Sequence, residues 1–284
     1  MHRLKSLLLS PLQRCAALFA LWAMTGAVHA QETGEIVNRW GLGEPASDYG
    51  YRFTDLFWFI TLLVSISFVL VLILIAIPVI RDRARPGHKA SFDHGSSLHD
   101  KQLTTVISVI TFIVLDAWVL VIAMKDLREA YWAVPEVDQP GVYRVEVLAQ
   151  QWAWNFRTPG IDGEFGTADD ILSNSELVVP VDRPVSFQMT SKDVIHSLFL
   201  PEMRMKKDAN PGELNTAWFQ AKDTGEFTIL CAELCGYAHY QMHGKLTVMD
   251  EDTFNEWERE ASKLAAVAFD SVDTESQWAW DWEQ

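Results

Sequence analysis

The stretch from Leu56 to Ile80 carries no charged side chain and is closed off by Asp55 and Arg81. As a helix rising ~1.5 Å per residue, it is long enough to cross a hydrocarbon core roughly 30 Å thick. Pro78 near one end is tolerated in such a helix. Val106 to Met124 is a second apolar run, broken only by Asp116. A soluble helix keeps one apolar stripe, whereas these runs are apolar on every side. They predict a membrane hairpin with spans at 56–80 and 106–124. Basic residues orient it. Arg81, Arg83, Arg85, Lys89 and Lys101 crowd the connection 81–105, while 31–55 sets only Arg39 and Arg52 against five acids. The connection is therefore expected in the cytoplasm, with 31–55 and everything beyond Met124 outside. Phe53, Phe57, Trp58 and Phe59 fit an aromatic belt at the outer interface.

Residues 1–30 read as a secretory signal that agrees with this topology. Arg3, Lys5 and Arg14 precede an apolar stretch, Ala16 to Val28, and Val28-His29-Ala30 forms a small-residue cleavage site. Removing them takes three positive charges and shifts the formal net charge from −15 to −18. Such a surface repels nucleic acid and attracts a basic partner. Cys15 leaves with the leader, so only Cys231 and Cys235 remain, in an oxidising compartment.

Beyond residue 137 apolar runs give way to alternation. Strand-like segments recur at Val142 to Ala149, Glu176 to Val181, Val185 to Thr190, Val194 to Leu200, Thr216 to Ala221, Glu226 to Cys231 and Lys245 to Met249, punctuated by Pro, Gly, Asn and Asp. That spacing predicts an all-β Greek-key sandwich or barrel over 138–252. A helix is expected from Thr253 to Val267, capped by Thr253 with Glu256 in capping-box position. The remainder of 253–284 is an acidic tail in which Trp278, Trp280 and Trp282 alternate.

The chemistry concentrates in CAELCGYAHYQM, Cys231 to Met242, with His196 upstream on another strand-like segment. Thiolates and thioethers are soft ligands that favour copper, and imidazole suits it. A disulfide between the cysteines would leave His239 and Met242 without a role. Zinc seldom recruits methionine. A copper chaperone needs fewer ligands, and a mononuclear blue site leaves one thiol over. Two metals sharing bridging thiolates use the whole set, an arrangement suited to electron transfer.

These residues carry a family resemblance. The chain resembles subunit II of a haem–copper cytochrome c oxidase over roughly residues 50 to 250: a two-helix hairpin, then a cupredoxin-like domain bearing a dinuclear copper A centre. The resemblance implies that Cys231 and Cys235 bridge both coppers, that His196 and Met242 complete one, and that His239 and the Glu233 carbonyl complete the other. It implies that the Glu233 carboxylate reaches a magnesium ion shared with subunit I. DVIHSLFLP from Asp193, KKDANPGELN from Lys206 and AQQWAWNF from Ala149 are similar to further family segments. By that likeness Trp152 receives the electron from cytochrome c, and Asp193 belongs to the docking carboxylates.

The chain also departs from the pattern. Ala153 replaces a usual tyrosine, Arg157 an acidic residue, and Glu213 a common arginine, while Thr104 stands where a proton-path glutamate is frequent. Asp116 reads either as a proton-relay element or as a carboxyl bonded to subunit I. On a regular α-helix it would lie about 20° from Thr105 in projection. The insertion PGIDGEFGTADD, Pro159 to Asp170, gathers four acids without the calcium-loop spacing of an EF-hand. It reads as a solvated acidic loop.

The resulting expectation is a two-span protein of the bacterial inner membrane with its copper domain on the periplasmic face. It would accept electrons from cytochrome c and pass them to haem in subunit I, for reduction of oxygen coupled to proton translocation. Subunit III is a further expected partner. A membrane-anchored copper-delivery protein, or the copper A subunit of a nitrogen-oxide reductase, is the alternative.

Overall fold

The computed structural model describes residues 43–87, 89, 94–135, 139–270 and 272; the expected leader and the tryptophans of the tail lie outside them. Helix α1 spans Asp48–Arg81 and helix α2 spans Leu98–Tyr131, both long and apolar enough to cross a membrane. Helix α1 begins well before its charge-free stretch. Ser47 caps it. Its Oγ accepts from the Gly50 N–H at 3.1 Å and donates to the Met203 carbonyl at 2.7 Å. Helix α2 is α-helical over Leu98–Thr111 and Trp118–Asp126, with π-helical turns at Phe112–Ala117 and Leu127–Tyr131. The first of these turns corrects the phase expected for Asp116. Each π turn takes in one extra residue, so Asp116 falls back by about 100° and leaves the line of Thr105.

Ten strands follow: β1 Tyr143–Gln150, β2 Ala153–Thr158, β3 Ile171–Asn174, β4 Glu176–Pro180, β5 Pro184–Ser191, β6 His196–Leu200, β7 Met205–Ala209, β8 Asn215–Gln220, β9 Gly225–Cys231 and β10 His243–Met249. They form two five-stranded sheets, ordered β3-β2-β1-β5-β8 and β4-β10-β9-β6-β7, a cupredoxin-like sandwich. β1 runs parallel to β5, and β10 parallel to β4; the other pairings are antiparallel. The core between the sheets joins Val145, Val147, Phe156, Phe187 and Phe219 to Leu198, Ile229, Leu246 and Val248, all essentially buried. Phe187 and Phe219 stack at 5.7 Å, a favourable ring arrangement.

The outward side of β1 is covered as well. Glu146 and Arg157 are directly opposed across β1 and β2 and form a buried ion pair, as cross-strand neighbours of opposite charge do. The insertion 159–170 folds over them. Asp170 lies 3.7 Å from Arg157. The Phe165 ring stands under the guanidinium groups of Arg144 and Arg157, a cation–π arrangement. Arg157 is therefore an internal tie for the acidic loop. Asp169 turns inward too, accepting from the Ile161 and Asp162 N–H groups, so the loop is organised by its own acids.

Helix α3, Glu251–Ala268, starts earlier than the sequence predicts. Its cap is Asp250, which accepts from the Thr253 N–H at 3.0 Å, and Thr253 lies inside the first turn. β10 ends at Met249, so Asp250 is the first extended residue whose side chain can reach those bare N–H groups.

The helices are tied firmly to the sandwich. Ser47 bridges to Ala221, Ala46 N–H donates to the Glu202 carbonyl, and Lys222 N–H donates to the Ala46 carbonyl. Tyr49 is buried, and its hydroxyl donates to the Trp218 carbonyl at 2.6 Å. Trp218 Nε1 donates to the Ala130 carbonyl at 2.7 Å. Arg52 on α1 pairs with Asp126 and Glu129 on α2.

Candidate metal centre

β6 and β9 are antiparallel neighbours, with Leu198 opposite Cys231. His196 opens β6 and Cys231 closes β9, so both fall at one end of the second sheet. The chain then loops through Cys235, makes a single turn at His239–Gln241 and re-enters the sheet at His243. The Cys231 N–H donates to the Met242 carbonyl at 3.2 Å and the Ala232 N–H to the Ser197 carbonyl at 3.0 Å, which closes the loop against the sheet.

This path brings together all the predicted donors. Cys231 Sγ lies 3.8 Å from Cys235 Sγ, 4.0 Å from His196 Nδ1 and 3.3 Å from the Glu233 carbonyl oxygen. Cys235 Sγ lies 3.5 Å from His239 Nδ1 and 3.7 Å from Met242 Sδ, and His196 Nδ1 lies 3.1 Å from Met242 Sδ. The sulfurs are too far apart for a disulfide, whose S–S bond is about 2.05 Å. Two ligands held about 2.3 Å from one tetrahedral metal stand about 3.8 Å apart. The spacings in the cluster fit that requirement, and both cysteine sulfurs have further donors on either side.

The surroundings prepare these groups as ligands. His196 is buried and its Nε2 meets Asp193 Oδ1 at 2.9 Å. In the neutral ring that contact keeps the proton on Nε2 and turns the Nδ1 lone pair toward the sulfurs. Burial alone would lower the His196 pKa; hydrogen bonds with Cys231 and Asp193 outweigh it and raise it. For Cys231 burial acts upward, yet His196 and the neighbouring backbone hold the thiol down at about 6. Cys235 is pushed up to about 12 by burial and by the charge on Cys231. The thiolate, the form that binds metals, is thus already favoured at Cys231.

Asp193 is largely engaged inside the chain. Oδ1 also accepts from the Val194 N–H and Oδ2 from the Gln151 N–H, each at 2.7 Å. Trp152 is 39% exposed and flanks the cysteine loop. A Cβ added to Gly236 would lie 3.2 Å from Trp152 Nε1 and 2.7 Å from Gln151 Nε2. Sequence reasoning passed over Gln151, whose Nε2 donates to the Cys235 carbonyl at 2.7 Å. Only its place beside Trp152 hinted at that role. Trp154, whose place in AQQWAWNF suits ordinary packing, is buried and meets the His196 ring edge-on at 6.1 Å. Glu233 is exposed at the rim.

Residues 143–249 match the family model described as cytochrome c oxidase subunit II, periplasmic domain. The alternative cytochrome c oxidase subunit 2 of Bradyrhizobium diazoefficiens is 36% identical over 146 residues, which are 44% of this chain and 53% of that protein. Cytochrome c oxidase subunit 2 of Thermostichus vulcanus is 32% identical, over 54% of this chain and 44% of the relative. These two alignments thus span about half the length of each relative. That of Cereibacter sphaeroides is 27% identical over 85% of this chain and 88% of its own length. Among solved structures, the periplasmic domain of subunit II of cytochrome oxidase of Bradyrhizobium japonicum is 33% identical, covering 47% of this chain and 99% of that one, with a TM-score of 0.40. The sandwich, residues 143–249, thus carries the periplasmic domain of the cytochrome c oxidase subunit II family, and a relative of that name aligns with the chain through the helices as well.

Proposed function

We propose that this chain is the electron-accepting subunit of a respiratory cytochrome c oxidase, anchored by α1 and α2 in the bacterial inner membrane with its sandwich on the periplasmic side. The observation that carries this reading is the cluster itself: two unlinked cysteines 3.8 Å apart, surrounded by two imidazoles, a thioether and a carbonyl. His196, Cys231, Cys235, His239, Met242 and the Glu233 carbonyl would hold a dinuclear copper A centre. When bound, that centre supplies one-electron storage shared between two metals. The exposed Glu233 carboxylate is assigned to a magnesium ion shared with subunit I.

The chain's own residues do the rest. Trp152, partly exposed and set against the loop of Cys235, offers cytochrome c a surface that touches the cluster's backbone. Asp193 orients His196 through Nε2 while its partly exposed edge remains at the same surface, beside Trp152. Gln151 holds the Cys235 carbonyl, fixing the loop between Trp152 and the sulfurs. The sheet keeps His196 and Cys231 in register, so their positions barely depend on charge state. Electrons accepted here pass to haem in subunit I, where oxygen is reduced to water with proton translocation. Subunit III completes the expected assembly.

The test is metal analysis and electron paramagnetic resonance of the copper-loaded full chain. Two coppers per polypeptide and a seven-line mixed-valence signal are expected. One copper per chain, or a Cys231–Cys235 disulfide that persists in loaded protein, would refute the reading.

A further inference from the structure

Helix α3 lies against the sandwich with Phe254 and Ser262 buried beneath it, but toward its C-terminal end the packing opens. Ala261, Ala265 and Ala268 follow one another at four and three residues, and so share a face. Side chains this short leave a gap between the helix and β3, the outermost strand of its sheet. Ile171 and Leu172 of β3 form the facing wall. The result is a groove of about 510 Å³, within the roughly 300–1,000 Å³ of ligand clefts. Leu172, Leu264 and Phe269 at its rim are 45%, 72% and 40% exposed. Apolar surface gathered in one place marks something that covers it.

Among the apolar walls stand the charges of Arg157 and Asp170. Asp170 Oδ2 accepts from the Gly166 N–H at 2.8 Å and lies 3.7 Å from Arg157. Its Oδ1 is 3.5 Å from the Thr167 hydroxyl, a long contact that leaves room for a better donor. Burial raises the pKa of this carboxyl against the pull of the Gly166 N–H and Arg157, so the carboxylate is under-served where it stands.

The chain itself supplies an occupant. Phe269 and Asp270 line the groove, and the described residues end at Val272. There the backbone bends: the Asp270 carboxylate accepts from the Val272 N–H at 2.9 Å, as in an Asx turn. Twelve residues follow, 273–284. The first five, Asp273 to Gln277, are polar and as long as a common reversing loop. Trp278, Trp280 and Trp282 then alternate with Ala279, Asp281 and Glu283. In an extended segment alternate residues share a face, so the three indoles would face one way and both acids the other. Trp278 to Trp282 would span about 13 Å at ~3.3 Å per residue. Ala261 to Ala268 rises about 10.5 Å along α3, so the two lengths match. An indole also brings an N–H that needs a partner when buried.

We infer that the C-terminal tail folds back and seats its tryptophans in the groove between α3 and β3, one indole N–H donating to the Asp170 carboxylate. Asp281 and Glu283 stay in water on the outer side. The tail thus completes the packing that the alanine face leaves open and clamps the end of the acidic insertion. The inference stands apart from the oxidase reading.

The experiment uses the full chain, purified with its complex, carrying a photo-crosslinking residue in place of Leu264. Light and heavy-isotope-labelled preparations are mixed before irradiation, and crosslinked peptides are mapped by mass spectrometry. Crosslinks from position 264 to residues 273–284, without mixed isotope pairs, are expected. Mixed pairs alone would mean that a second copy covers the groove. Capture of another subunit's peptide, of lipid only, or of nothing would mean that the tail does not; each result overturns the inference. In a second measurement, a chain ending at Val272 is offered a fluorescently labelled peptide of residues 271–284. It should bind that peptide about tenfold or more tightly than one carrying Trp278→Ser, Trp280→Ser and Trp282→Ser. Leu264→Glu, at an exposed position, should abolish the binding without moving Tm. The full chain, its groove already filled, should bind the peptide about tenfold or more weakly than the truncated one. Equal binding of the two peptides, or binding unaffected by Leu264→Glu, would overturn the inference. The crosslink is read in the full chain, so it decides even where truncation unsettles the fold.

Discussion

Replacing Gly236 with alanine probes whether the cysteine loop, Gln151 and Trp152 form one unit. Gly236 has φ +126°, a conformation that side chains rarely adopt. The new Cβ would sit 2.7 Å from Gln151 Nε2 and 3.2–3.3 Å from Trp152 Nε1 and Cζ2. Forcing an L-residue into such a backbone costs about 1–3 kcal/mol. The Gln151 amide, being the end of a flexible side chain, will swing away and forfeit its bond to the Cys235 carbonyl, about 0.5–1.5 kcal/mol more. The indole is bulkier and less free to move, so the loop must shift instead. The sum, about 1.5–4.5 kcal/mol, corresponds to roughly a 10 °C loss in Tm for a domain of this size. Both consequences are measurable: melting of the copper-loaded chain by near-ultraviolet circular dichroism, and electron uptake from reduced cytochrome c by stopped flow. A lower Tm together with slower uptake is expected. If Gly236→Ala melts within about 2 °C of wild type, a shift worth under about 1 kcal/mol, and accepts electrons at the same rate, then Trp152 and the loop are not coupled and the argument fails.

Asp193→Ala removes the acceptor that orients His196, and copper affinity should fall about 10–100-fold in chelator competition; unchanged affinity would mean Asp193 serves only the surface. Arg157→Ala strands the Glu146 carboxylate, which is buried. It should cost about 3–5 kcal/mol in thermal or denaturant unfolding. Arg157→Met combined with Glu146→Leu should recover part of that loss, because the buried Glu146 charge is then gone while Asp170 still lacks its Arg157 partner. The Asp250 carboxylate is held below the usual range by the Thr253 N–H it accepts. Its support for α3 is therefore complete above the ordinary aspartate range and disappears as pH falls through the lowered value. Protection of the first-turn amides of α3, taken relative to the intrinsic exchange rate at each pH, should fall on acidification in wild type, and already be low at neutral pH in Asp250→Ala.

The sandwich was readable because alternation marks strands with one buried face, and the donors were readable because ligand chemistry leaves few alternatives for Cys, His and Met so close together. What escaped the sequence depends on choices made in three dimensions. Nothing in FIVLDA announces a π turn, yet it alone decides which side of α2 carries Asp116. Thr253 and Asp250 are both good caps, and the end of β10 chose between them. Arg157 reads in the sequence only as a basic residue where the family usually has an acidic one, but its cross-strand neighbour is Glu146 and the insertion covers both. Asp193 has the expected place, while its division between His196, Val194 and Gln151 belongs to the folded loop.

The anchorage of Ser47, Tyr49 and Trp218 has a mechanical meaning. The N-terminal end of α1 and the C-terminal end of α2 are bolted to the β-framework by backbone and buried side chains, so the tip with the cysteine cluster is a fixed bracket, not a tethered float. Its height above the bilayer is built in during folding. On the proposed reading, electron hops, whose speed falls steeply with distance, would find a constant gap without waiting for the head to swing into range.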